Sequence, residues 1–220
     1  MIICLSGFMG CGKSTVGREL QKILGWRLTD LDSYIERREG RRIKEIFSDC
    51  GEASFRAMEL SALQEILTSA DAQAKGAGPS SCLPTDGGRA ETTGRKGTGL
   101  IISLGGGTLT APECEKLVRG HTTVFYLSAS IDTLVSNLSG NASGRPLLAS
   151  ASGDTSLPHG TNDAVSCTDN GDSEEVLRLR DRIKGLMKER SNIYQRSAHQ
   201  TITTDGKSPS AIAAEIASLL

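Results

Sequence analysis

The stretch Ile2-Ile3-Cys4-Leu5-Ser6-Gly7-Phe8-Met9-Gly10-Cys11-Gly12-Lys13-Ser14 decides how the rest of the chain is read. Its first five residues form a short apolar run that stops at a glycine. From Ser14 to Leu24 apolar residues return at helical spacing, as Val16, Leu20, Ile23 and Leu24. Strand, glycine-rich loop and helix in that order are the context in which GxxxxGKS is a phosphate-binding loop. The glycines let the loop wrap so that its amides point inward, and the helix N-terminus adds positive potential. Lys13 is expected to reach the β and γ phosphates of a nucleoside triphosphate, and Ser14 to offer its oxygen to magnesium. Gly10, Cys11, Gly12 and Thr15 complete the phosphate site mainly through their backbone. Cys11 has no histidine nearby in sequence to activate it, so its thiol is read as inert.

The bulk composition fits a small-molecule enzyme. A chain of 220 residues buries one sizeable core, and the expectation is a single α/β domain spanning residues 1–220. The formal charge of −1 gives no reason to expect a nucleic-acid or membrane partner. Six cysteines without CxxC spacing or a nearby histidine pair argue against a zinc site and a disulfide framework, and point to reduced thiols in a cytoplasm. The N-terminus lacks the basic flank and apolar length of a signal peptide.

Beyond the loop the pattern alternates. Trp26 to Thr29 reads as a second strand ending in Asp30-Leu31-Asp32, and 32–67 as helical hairpins broken near Gly40 and Gly51. Large apolar residues almost vanish from Ser69 to Gly99, which is expected to be a flexible insertion. Leu100 to Leu104 (LIISL) has the composition of a parallel strand buried on both faces, and it runs into Gly105, Gly106 and Gly107. A helix at about 111–119, a strand at 124–127 and a helix at about 131–138 continue the alternation. A polar stretch, read as loop, follows from Ser139 to Ser173. The compact GRPLL of Gly144 to Leu148 interrupts it. A basic amphipathic helix from Glu174 to about Arg196, a strand at 201–204 and a closing helix at 208–220 complete a three-layer sandwich around a parallel sheet.

Asp30 and Asp32 stand at the carboxyl end of a strand, where open α/β sheets place their ligands. Two carboxylates there can hold magnesium-bound water and an alcohol, although Asp32 could instead cap the helix that follows. Asp30 is the available magnesium-side acid, because LIISL ends in glycines and not in Asp. The three glycines Gly105 to Gly107 allow close approach of a ligand to backbone, or simply a flexible connection. Arg56, Arg145 and Arg190, taken singly, are ordinary surface charges.

Taken together the residues resemble the shikimate kinase family. The match comprises GFMGCGKST at Gly7 to Thr15, DLD at Asp30 to Asp32, GEASFRAMEL at Gly51 to Leu60, SLGGGT at Ser103 to Thr108, GRPLL at Gly144 to Leu148 and LMKERSNIYQRSA at Leu186 to Ala198. The resemblance implies a P-loop fold of the nucleoside monophosphate kinase-like type, and ATP- and magnesium-dependent phosphorylation of the 3-hydroxyl of shikimate by a monomer. By position, Lys13 and Ser14 would serve ATP and magnesium, and Asp30 the metal's water shell. Asp32 would bind the substrate hydroxyls and accept the proton. Arg56 and Arg190 would clamp the substrate carboxylate, with Gly105, Gly106 and Gly107 supporting the ring. Arg145, on a lid that the resemblance places at about 139–150 with a second, polar insertion at about 149–173, would stabilise the transferring phosphoryl group, and Lys207 would line the adenine pocket. The chain departs from the family in lacking an arginine in Ser136 to Gly144, where one usually stacks on adenine. Two other readings stay open at this point: a different small-metabolite kinase such as a gluconate kinase, or a non-catalytic nucleotide-binding module.

Overall fold

The computed structural model describes residues 1–74, 99–139 and 174–220. Arg145, the expected lid and the core of both expected insertions lie outside the described residues. The elements run β1 (Ile2–Ser6), α1 (Lys13–Leu24), β2 (Arg27–Asp30), α2 (Leu31–Glu39), α3 (Ile43–Ala74) and β3 (Leu100–Ser103). A 3-10 turn at Thr108–Thr110, α4 (Pro112–His121), β4 (Thr123–Ser128), α5 (Ile131–Leu138), α6 (Glu174–Ser197), β5 (Gln200–Thr203) and α7 (Pro209–Ser218) follow.

The five strands form one sheet in the order β2-β3-β1-β4-β5, and every pairing is parallel. The chain leaves β1 toward β2 in one direction, then steps back through β3 to β4 and β5 in the other. Right-handed crossovers therefore put α1 on one face and α3, α4 and α6 on the opposite face. The packing agrees: α1 lies against β1, β2 and β3 with α7 beside it, while α3 contacts α4, and both α4 and α6 contact β4. The reversal of direction at β1 makes the carboxyl end of that strand a topological switch point, which is where a sheet of this kind opens a crevice.

The core explains the strand assignments. Ile3, Leu5, Ile101 and Leu127 are fully buried, as is Ile102, so β3 is covered on both faces as its composition predicts. Gly7 ends β1 with φ +141°, and a Cβ there would lie 2.6 Å from the Leu127 carbonyl oxygen. Glycine is the residue that lets the chain turn away from the sheet at that point.

Three expectations are corrected. α3 continues to Ala74, past the point at Ser69 where an insertion is expected, because alanine-rich polar sequence extends an existing helix at little cost and Ala70 still packs on the core. Gly99 is also ordered, accepting a hydrogen bond from Arg27 N at 3.2 Å beside β2. The cap of α2 is Asp30 and not Asp32: the Asp30 side chain accepts from Ser33 N at 3.1 Å, which leaves Asp32 in the first turn. The break at Gly51 is present as a non-helical residue inside α3.

Candidate active site

A cleft of about 980 Å³ opens at the carboxyl ends of the strands. Gly10, Gly12, Lys13, Ser14 and Thr15 line one end, and Asp32, Arg56, Glu59 and the three glycines 105–107 line the other. Residues far apart in sequence meet because β1, β2 and β3 are neighbours whose outgoing loops share one edge.

At the loop end, Lys13 is only 8% exposed. Its ammonium donates to the Gly7 and Phe8 carbonyls at 2.8 and 3.0 Å and approaches Cys11 Sγ at 3.9 Å. The lysine thus lies folded over its own loop, a position from which it can swing to a phosphate. Cys11 is buried and does not line the cleft, and its N–H donates to the Phe8 carbonyl at 3.2 Å. Ser14 Oγ donates to Asp30 Oδ2 at 2.7 Å, and Ser103 Oγ stands 3.5 Å from Ser14 Oγ. A hydroxyl and a carboxylate set beside a phosphate loop are hard oxygen donors suited to magnesium and its waters. Among the described residues there is no cluster of three or more His, Cys, Asp or Glu able to cage a metal by itself.

At the other end, burial is the main force raising Asp32 to a pKa of about 7, with the charges of Asp30 and Glu59 adding to it and Lys13 opposing it. Gly105 is packed so closely here that a Cβ would lie 2.7 Å from Asp32 Oδ1. Arg56 comes from α3, where it donates to Glu59 at 2.5 Å and to Glu52 at 2.8 Å. Glu59 is fully buried and also accepts from Thr108 Oγ1 at 2.5 Å. Burial pushes its carboxyl upward, against the pull of Arg56 and Thr108. Phe47 and Phe55, with ring centroids 4.7 Å apart, give this end an apolar wall.

Arg190 reaches the site from α6. It is 7% exposed. Its guanidinium meets the Gly106 carbonyl at 3.4 Å, behind the cleft-lining glycines and not in the lining itself. Lys207 is also outside the lining: its ammonium pairs with Glu215 at 2.6 Å, while nearby Pro209 borders the cleft.

Sequence reasoning missed Glu59, Thr108, Tyr194 and Asn137. Glu59 was detectable, because it interrupts the apolar stripe of Phe55, Ala62, Leu63 and Ile66 one turn from Arg56. Asn137, whose amide donates to the Gly10 carbonyl at 2.9 Å, carries no such signal. Two exposed histidines have main-chain partners: Val124 N donates to His199 Nδ1 at 3.0 Å, and His121 Nδ1 lies 3.0 Å from the Leu117 carbonyl oxygen. His159 lies outside the described residues.

The shikimate kinase family model matches residues 9–78 and 90–220. This chain belongs to the shikimate kinase family. A shikimate kinase of Thermus thermophilus is 32% identical over 214 residues, covering 97% of this chain and 86% of the relative. That of Rhodococcus erythropolis is 32% identical over 216 residues, covering 98% and 95%. Among solved structures, the shikimate kinase of Acinetobacter baumannii in complex with shikimate superimposes with a TM-score of 0.68 at 27% identity, covering 99% of this chain and 91% of that one. The Bacteroides thetaiotaomicron shikimate kinase, at 22% identity and TM-score 0.69, covers 100% of this chain and 97% of its own and shares the fold. As a shikimate kinase family member the chain is an ATP-dependent kinase, and the P-loop sandwich expected from its sequence is the fold it has.

Proposed function

We propose that this cleft transfers the γ-phosphoryl group of ATP to the 3-hydroxyl of shikimate, giving shikimate 3-phosphate and ADP. The observation that carries the reading is the meeting in one cleft of the phosphate loop with Asp32 and Arg56, a carboxylate that can take an alcohol proton and a cation that can hold a carboxylate.

Lys13 and the amides of Gly10 to Thr15 hold the nucleotide phosphates, and Ser14 with Asp30 would hold magnesium and its water shell. Magnesium held there would supply positive charge to offset the negative charge developing on the transferring group. Asp32 orients the 3-hydroxyl and accepts its proton as the oxygen attacks phosphorus. A pKa of about 7 suits a base working near neutrality. Arg56, held by Glu59 and Glu52, binds the substrate carboxylate together with Arg190, and Gly105 to Gly107 let the ring approach backbone. Arg145 and Lys207 are assigned to the transferring phosphoryl group and the adenine pocket on the resemblance alone. Catalysis is then positioning and electrostatics, with little covalent work for the protein. A cytoplasmic, monomeric enzyme acting on small molecules is part of the proposal.

Purified protein with ATP, magnesium and in turn shikimate, gluconate and a nucleoside monophosphate tests it by ADP release. Turnover of shikimate is expected. Turnover of gluconate without shikimate would replace the substrate, and ATP binding without turnover of any acceptor would replace the enzyme by a nucleotide-binding module.

A further inference from the structure

Tyr194 lies one helical turn beyond Arg190 on α6 and is 1% exposed. Its ring stacks on Tyr126 with centroids 5.4 Å apart. Its hydroxyl donates a short hydrogen bond to the Gly106 carbonyl, the same oxygen that accepts from Arg190 at 3.4 Å. No other donor reaches that carbonyl among the described residues. The adjacent loop carbonyls are satisfied locally: Gly105 by Thr108 N at 3.3 Å, and Gly107 by Thr110 N at 3.0 Å and Thr110 Oγ1 at 2.6 Å. Only through α6, then, is the Gly106–Gly107 peptide held in one orientation among these contacts. In a planar trans peptide the carbonyl and the following N–H point opposite ways. Fixing the Gly106 oxygen on α6 therefore directs the Gly107 N–H away from α6, on a loop that lines the cleft.

We propose that Tyr194 is a positioning residue for the phosphoryl acceptor: its hydroxyl pins the Gly106–Gly107 peptide and, through the shared carbonyl, sets where the Arg190 guanidinium sits. The i, i+4 spacing makes the two side chains neighbours on one helix face, so one rigid element delivers both the cation and the tie that places it. The stacked ring holds the hydroxyl, which also lies within side-chain hydrogen-bonding reach of Arg190, and the shared carbonyl accepts from one arm of the guanidinium. Burial raises the Tyr194 phenol well above its ordinary value, which keeps it a donor across the working pH range. Tyr194 itself touches no substrate in this account. The inference rests on the reading of shikimate as acceptor.

Tyr194→Phe tests it, because the ring and its stack survive while the hydroxyl goes. We expect the KM for shikimate to rise about tenfold, the cost of one buried hydrogen bond, with the KM for ATP within about twofold of wild type. In an Arg190→Lys background the same substitution should add no more than about threefold, since both changes act through one contact. An unchanged shikimate KM in Tyr194→Phe overturns the proposal. So does a parallel rise in both KM values with a lowered melting temperature, which would mark general loosening. Full additivity with Arg190→Lys removes the arginine from the path and overturns it too. Failure of the wild-type enzyme to turn over shikimate would instead strike the functional reading, so the two failures are distinguishable.

Discussion

Ser14 Oγ donates to Asp30 Oδ2 across 2.7 Å, joining the first turn of α1 to the carboxyl end of β2. The same carboxylate caps α2 through Ser33 N, so Asp30 serves the fold and, in the proposed function, the magnesium side of the site at once. The two roles can be separated. Asp30→Ser retains a capping oxygen, and its stability by urea denaturation should stay within about 0.5 kcal/mol of wild type. Its magnesium concentration for half-maximal activity should nevertheless rise about tenfold or more. Unchanged magnesium dependence in a folded variant would remove Asp30 from the metal's surroundings.

In the proposed function Asp32 links activity to pH. With its pKa raised to about 7, the free enzyme loses its base as pH falls through that value. The kcat/KM for shikimate should therefore drop about tenfold per unit below pH 7 and level off above it. Stability runs the opposite way. A carboxyl raised above its unfolded value stabilises the native state most at low pH, and that contribution is lost as pH rises through about 7. Asp32→Asn should thus be inactive yet more stable than wild type by about 3 kcal/mol at pH 8, a gap that closes toward pH 4. Urea midpoints at both pH values, with ADP release, check both statements.

Glu59 is the buried counter-charge of Arg56, with its side chain 1% exposed against 14% for the arginine. Removing one member of such a pair leaves the other uncompensated. Glu59→Ala should lose about 3 kcal/mol of stability in chemical denaturation. Its kcat/KM for shikimate should fall at least about tenfold, because Arg56 is freed to turn toward Glu52. A variant of full stability and unchanged kinetics would show that Arg56 needs no such support.

Gly105 leaves no room for a side chain, since a Cβ would crowd Asp32, Thr108 and Glu59 at 2.7, 2.9 and 3.0 Å. Gly105→Ala should lower kcat/KM for shikimate about a hundredfold while the KM for ATP changes little. Gly185, inside α6, has nothing within 4 Å of the same position. Gly185→Ala should instead stabilise the protein by about 0.5–1 kcal/mol with kinetics unchanged, a control for the effect of an added methyl group.

Much of this was legible in sequence because it depends on short-range pattern. The run Ile2 to Ser6, the glycines to Gly12 and the helical spacing from Val16 to Leu24 determine strand, loop and helix from neighbours alone, since backbone sterics and apolar periodicity act over a few residues. The apolar LIIS likewise marks a strand covered on both faces. Local composition misled at Ser69 to Ala74, where a helix already formed is cheap to extend. It also offered Asp32 as the cap of α2, a place that Asp30 holds, because that depends on one backbone turn.

The tertiary structure decided which distant groups became partners. Sequence named Asp32, Arg56, Gly105 and Arg190 but could not show that Gly105 packs on Asp32, that Glu59 neutralises Arg56, or that Tyr194 and Arg190 share the Gly106 carbonyl. Those contacts arise because parallel strand order brings loops far apart in the chain to one edge of the sheet. Whether a buried charge or carbonyl finds its partner is settled only once that edge is built.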